Sequence, residues 1–269
     1  MHSFMLRVAA AAMVAGSGPA HAVAQPDGPP QVWQLDWENS HCIISTGDPS
    51  NLLLSLWMTP GDPSPDLYVA GPSAKLRTAA AKGTVVLGPG NESFTTGLIQ
   101  RFGKSGGWVL EYFELKDGFP TAFARSTEVQ LTSLNVPVTV QFKGAEKAMA
   151  ALKDCVDNKL SAWGIDAKAY ESLRSPPIDP GHMDWFTAYD YPDDAMQAGF
   201  EGNVVARVDV DATGKVKACN VVVGSGMDSI DKVTCAKTMK NGKFLPAIGA
   251  DGNPTAATRT IFVKFQLEG

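Results

Sequence analysis

The chain has 269 residues, 44% of them hydrophobic and 19% charged, with a formal net charge of −5. That length suffices for two modest domains, each with its own core. A mildly acidic chain without basic clusters excludes nucleic acid as the main partner and argues against adsorption to anionic membranes.

The first residues read as a secretory leader. Arg7 precedes the apolar run 8–15, and Gly16-Ser17-Gly18-Pro19 breaks it. Both Ala20-His21-Ala22 and Ala22-Val23-Ala24 fit a small-x-small cleavage site, so residues 1–24 are assigned to a removable signal peptide. The apolar run is shorter than the roughly 20 residues that cross a bilayer. No later stretch is long and apolar enough, and no membrane span is expected after cleavage; an uncleaved anchor is the rival reading.

Residues 25–170 read as a β-rich domain behind a loose Pro- and Gly-rich start at 25–31. Strands are expected near 32–37, 42–45, 52–58, 67–69, 84–87, 94–102, 108–115 and 136–142, with Gly, Pro, Asn and Asp between them. A helix over 145–163 closes the domain, with Met149, Leu152, Cys155 or Val156, Leu160 and Trp163 at helical spacing and Gly164 as its stop. Residues 171–186 hold Ser175-Pro176-Pro177-Ile178-Asp179-Pro180-Gly181, a linker or extended arm.

Residues 187–269 form a second module of helix, hairpin, helix and strand. Pro192 suits a first helical turn, where its missing N–H would be unpaired anyway, and Gly199 ends that helix. In the strand 203–210, Val204, Ala206, Val208 and Val210 share one face, while Val205, Arg207 and Asp209 share the other. The turn Ala212-Thr213-Gly214 leads into the strand 215–223. Asp228 or Ser229 is expected to cap a second helix, with Ile230, Val233 and Ala236 as its buried stripe. The last strand, 258–267, places Ile261, Val263, Phe265 and Leu267 opposite Phe262, Lys264 and Gln266. The chain is therefore α+β: a β-rich N-terminal domain closed by a helix, then a three-stranded antiparallel sheet with two short helices.

Four cysteines follow the leader: Cys42, Cys155, Cys219 and Cys235. An even count in a secreted chain points to disulfides, and three pairings are possible. One bridge per domain, Cys42–Cys155 and Cys219–Cys235, is the favoured pairing. A zinc site is disfavoured, because no Cys-x-x-Cys or Cys/His spacing supports it, and no cofactor is expected.

The module at 187–269 resembles the C-terminal domain of the TonB family. The resemblance rests on Asp190-Tyr191-Pro192…Ala195, Glu201-Gly202-Asn203-Val204, Val210-Asp211…Gly214-Lys215-Val216, Val222…Ser225-Gly226…Ile230-Asp231, and Phe244-Leu245-Pro246-Ala247…Gly252-Asn253-Pro254, in order and at the family's spacing. Ile230 replaces a usual Leu, Gly224 a common Ser, and Asn241-Gly242-Lys243 a basic run. The resemblance implies a periplasmic protein of a Gram-negative bacterium, linked to transmembrane transport. Its edge strand would grip extended segments of outer-membrane receptors or other envelope proteins by strand addition. Tyr191, Pro192, Arg259, Thr260, Phe262 and Lys264 are the expected partner-binding residues, and a homodimer is left open. Family transducers carry an uncleaved membrane helix and a Pro-rich spacer; retention of the leader would return this chain to that class.

Other motifs favour bland readings. Asp209-Val210-Asp211-Ala212-Thr213-Gly214 starts like a calcium loop, but Asn220 stands where the loop's Glu belongs, so a hairpin turn is preferred. His41 beside Cys42 suggests a thiol–imidazole pair, against which stands a disulfide-bonded Cys42. Trp33, Trp37, Trp57 and Trp108 read as core aromatics before they read as a ligand site. No catalytic constellation emerges, and the chain is expected not to be an enzyme. The competing function is that of an envelope structural or ligand-binding protein whose N-terminal domain carries the binding and whose C-terminal module is accessory.

Overall fold

The computed structural model describes residues 22–23, 32–37, 40–48, 51–62, 64–72, 79–102, 107–113, 115, 118–132 and 137–267. The expected leader lies outside them apart from Ala22 and Val23, and so does the start at 25–31. Two compact units emerge. Among the described residues, the first comprises those up to Asp36, those of 43–57 and those of 64–152; the second comprises those of 37–42, 58–62 and 153–267.

The strands of the β-rich region are β1 (Ala22–Val23), β2 (Gln34–Trp37), β3 (Cys42–Gly47), β4 (Leu53–Met58), β5 (Asp66–Gly71), β6 (Ala79–Gly88), β7 (Glu92–Phe102), β8 (Trp108–Phe113), β9 (Glu128–Thr132) and β10 (Pro137–Gln141). They form one ten-stranded sheet in the order β1-β10-β9-β6-β7-β8-β5-β4-β3-β2. The strict alternation of buried and half-buried residues in β5 and β8 is the period-2 signature of a sheet covered on one face. Three elements of this region were not expected from the sequence: β1, which falls within the residues assigned to the leader, β9, and helix α1 (Phe119–Ala124), whose Phe119 and Phe123 are fully buried. Phe123 stacks on Phe142, and Trp33 meets both rings edge-on while its indole N–H donates to Lys143 O. Trp108 is also buried, so these tryptophans are structural.

Helix α2 (Ala145–Ala162) matches the expected closing helix, and α3 (Ala167–Glu171) follows, capped by the Asp166 carboxylate. The second unit then continues with α4 (Asp193–Gln197), β11 (Gly202–Val210), β12 (Val216–Val223), α5 (Asp228–Asn241), β13 (Ala247–Ile248), β14 (Pro254–Thr255) and β15 (Ala257–Phe265). The sheet order is β12-β11-β15, antiparallel throughout. Its inner face buries Val204, Ala206, Val208, Val210, Ile261, Val263 and Phe265 against Ile230, Phe244 and Trp185. The proline-rich arm is not free of this unit: Arg174 N and Ser175 N donate to Ile248 O, and Ile178 N donates to Leu245 O.

Helix α5 departs from expectation in two ways. Its N-cap is Met227, with no side-chain cap; instead the Asp231 carboxylate accepts from Ser225 N and Ser225 Oγ. Its buried stripe is Ile230, Thr234 and Thr238, while Val233 is half-buried and Ala236 exposed. The threonines can be buried because each hydroxyl donates to the carbonyl four residues back, Ile230 O and Thr234 O. Both favoured disulfides are present. Cys219 on β12 is joined to Cys235 on α5, and Cys42 to Cys155, with Cα separations of 5.4 and 6.0 Å.

Candidate partner-docking edge

The outermost strand of the small sheet is β15. It pairs with β11 from Gly202↔Phe265 to Val210↔Ala257, and among the described residues no strand pairs with its other side. Such an edge presents backbone N–H and C=O groups that a further strand can complete. Both ends of β15 are fixed by charge-assisted bonds. Leu267 N donates to Glu201 Oε1 just past its end, and Thr258 Oγ1 donates to an Asp209 carboxylate that Arg207 also holds.

The six partner-binding residues expected from the sequence fall into two groups. Tyr191 and Pro192 lie by the C-terminal end of the strand: Pro192 is the N-cap of α4, the Tyr191 hydroxyl donates to Phe200 O, and its ring meets Phe265 edge-on at 5.6 Å. Arg259 is near the other end, six residues from Phe265, or roughly 20 Å along a strand. Its Nη1 donates to Pro177 O at 2.8 Å and its Nη2 pairs with Asp62 at 3.4 Å. Thr260 is only 2% exposed, and its hydroxyl donates to Pro60 O. The Phe262 ring lies 5.4 Å from that of His41, whereas Lys264 is exposed. These contacts of Arg259, Thr260 and Phe262 are made within the second unit.

The outer face of this sheet is thus not bare. Val205, which points away from the inner core, is completely buried. Residues 58–62 lie over Thr260. Gly61, at φ +85°, comes so close that a Cβ there would sit 2.6 Å from Thr260 Oγ1. The Tyr170 hydroxyl donates to Gly61 O, and burial raises that phenol's pKa. Burial, then the Lys159 ammonium, lowers the pKa of His41, and Ser40 Oγ is hydrogen-bonded to its Nδ1. Cys42 is disulfide-bonded, which removes it as a nucleophile. Sequence reasoning missed Pro60, Gly61, Asp62 and Tyr170. Thr59-Pro60-Gly61-Asp62 has the chemistry of a turn, but nothing local tells which strand the turn will cover.

The hairpin tip is set by one carboxylate. Asp211 Oδ1 accepts from Thr213 N, Thr213 Oγ1 and Lys215 N, and these bonds lower its pKa. Gly214, at φ +83°, lies against the Phe-Leu-Pro-Ala segment, where Phe244 N donates to Gly214 O. The recognisable sequence pieces therefore touch one another in space.

Residues 187–267 match the family model TonB_C, the Gram-negative bacterial TonB protein C-terminal. The match spans α4, both hairpin strands, α5 and β15, and covers less than a third of the 269 residues. No curated protein and no solved structure matches the chain. The TonB C-terminal domain is a transport-associated, non-catalytic module. Its motifs have clear roles here: Glu201 anchors the end of β15, Ser225 and Asp231 join the β12–α5 turn, and Phe244 packs edge-on against Trp185 at 5.2 Å. Among the described residues no group of three or more His, Cys, Asp or Glu could hold a metal ion, and no helix is long and apolar enough to cross a membrane.

Proposed function

We propose that the TonB-like domain is a periplasmic docking module that takes up an extended segment of an envelope protein as a fourth strand on β15. The segment we favour is a periplasmic stretch of an outer-membrane receptor, which ties the protein to transmembrane transport. The carrying observation is that β15 terminates the β12-β11-β15 sheet inside the stretch matching the TonB family. Backbone pairing would supply affinity, and side chains along and beside the strand would select the partner. Tyr191 and Pro192 would contact one end of the added segment and Arg259 the other, with Thr260, Phe262 and Lys264 between.

Hydrogen exchange with synthetic receptor segments tests this. Binding should slow exchange of backbone amides within Ala257–Phe265 and leave the β11–β12 hairpin unchanged. Binding that protects other residues and spares β15 would refute the docking edge.

A second reading is favoured by one observation: the ten-stranded sheet lies wholly outside the family match. On that reading the β-rich region binds an envelope ligand and the TonB-like domain is accessory. Chemical-shift changes confined to residues 32–152 on addition of envelope extracts would support it.

A further inference from the structure

Arg259 has an incomplete set of partners. Its side chain is 12% exposed, and its fork carries donors on Nε, Nη1 and Nη2. Pro177 O takes Nη1 and Asp62 takes Nη2, but Nε is buried without a hydrogen-bond partner among the described residues. A guanidinium beside a carboxylate ordinarily forms two parallel bonds, one from Nε and one from an Nη. Asp62 achieves only one of them, at 3.4 Å, and its side chain remains 36% exposed. The Nε–Nη2 side of Arg259 is thus a carboxylate site filled imperfectly by the chain's own loop.

The loop is held to β15 and its surroundings by several contacts. Thr260 Oγ1 donates to Pro60 O, Tyr170 OH donates to Gly61 O, and Asp62 meets Arg259. These contacts are polar, and they engage Arg259 and Thr260 by the same side chains that an added strand would have to meet. One guanidinium edge cannot serve Asp62 and a partner's carboxylate together.

We propose that Arg259 reads a carboxylate on the docking partner, and that Asp62 fills this position in the resting protein until an acidic extended segment displaces the 58–62 loop. The proposal rests on strand addition at β15 and names the partner's chemistry: an extended segment with an Asp or Glu in register with Arg259. Displacement exchanges an ion pair made through Nη2 alone for a bidentate one and gives Nε its missing acceptor. The resting contact lowers apparent affinity by the fraction of molecules with the loop released.

The test uses the full mature chain and synthetic receptor segments in two forms, one with their native Asp and Glu and one with Asn and Gln in their place. Affinity and β15 hydrogen exchange are measured together. The wild-type protein should bind the acidic form about tenfold more tightly, the effect of a charge-assisted bond in a partly wet site. Asp62→Asn should tighten both forms by roughly fivefold, because either form must displace the loop, and leave the preference for the acidic form in place. Arg259→Gln should abolish the preference. Thr260→Val, which loosens the loop without touching Arg259, should tighten both forms equally. Equal affinity for the two forms, with β15 still protected, overturns the carboxylate site and leaves strand addition standing. Tightening of neither form by Asp62→Asn or Thr260→Val overturns the loop's role. Absence of β15 protection with every segment overturns both readings together.

Discussion

Removing the two disulfides one at a time should separate chain entropy from local packing. Cys219 and Cys235 are 16 residues apart, and Cys42 and Cys155 are 113 apart. Loop-closure entropy at room temperature then assigns about 3 kcal/mol to the short bridge and about 4.8 kcal/mol to the long one. With a urea slope of about 1–3 kcal/mol per molar, the Cys219→Ser/Cys235→Ser protein should unfold about 1–3 M earlier. The Cys42→Ser/Cys155→Ser protein should lose more than that. The assay is equilibrium urea unfolding followed by tryptophan fluorescence, with Trp185 as a buried reporter in the second unit. The slope should also rise on removal of each bridge, and rise more for the long one, because an unbridged chain exposes more surface on unfolding. A short bridge that costs as much as the long one would refute the entropic account. The stabilisation would then reside in how β12 and α5 pack around Cys219 and Cys235.

Three further outcomes are expected. Tyr112→Phe should stabilise the protein by about 1 kcal/mol in thermal unfolding, because the fully buried Tyr112 hydroxyl has no hydrogen-bond partner among the described residues and phenylalanine removes that unmet donor. Gly214→Ala should destabilise by at least about 2 kcal/mol; the turn needs φ +83°, and the new Cβ would lie 1.9 Å from Phe244 O. For His41, the folded pKa is lowered from its ordinary 6.5 by burial first and by Lys159 second. Between the lowered value and 6.5 the unfolded chain binds more protons, so stability is full above pH 6.5 and falls as the pH drops through that window. His41→Gln should flatten this part of the stability–pH curve, and an unchanged slope would place its origin elsewhere.

The parts legible in the sequence are those governed by local chemistry. The alternation of Val204, Ala206, Val208 and Val210 predicted the inner face of β11, and the same residues line the core. The even cysteine count led to both disulfides, although all four cysteines fall in the second unit instead of one bridge lying in each. Elsewhere local rules misled. Thr234 and Thr238 are polar by type, yet their hydroxyls are satisfied within α5, so they occupy the stripe assigned to Val233 and Ala236. Glu128–Thr132 alternates like a strand but is short and begins with two polar residues' worth of turn signal before it, and it gains its identity from pairing with β6 and β10. At the candidate docking edge the sequence showed the strand and its side chains. It did not name what covers them, because Thr260 and Pro60 are 200 residues apart and no periodicity spans that distance. Val205 shows the same limit: the pattern placed it on the outer face, and only tertiary structure buries it.

If a partner bound as proposed above pulls on this chain, the long disulfide sets how far the chain can yield. Extended backbone spans roughly 3.45 Å per residue. The 113-residue separation of Cys42 and Cys155 therefore removes about 390 Å of slack from the chain, and the 16-residue separation of Cys219 and Cys235 removes about 55 Å more. Under load these stretches cannot pay out, and the strain falls on the short segments outside the covalent rings. One such segment is β15, where the pull would act along the strand and shear its hydrogen bonds to β11 together instead of unzipping them singly.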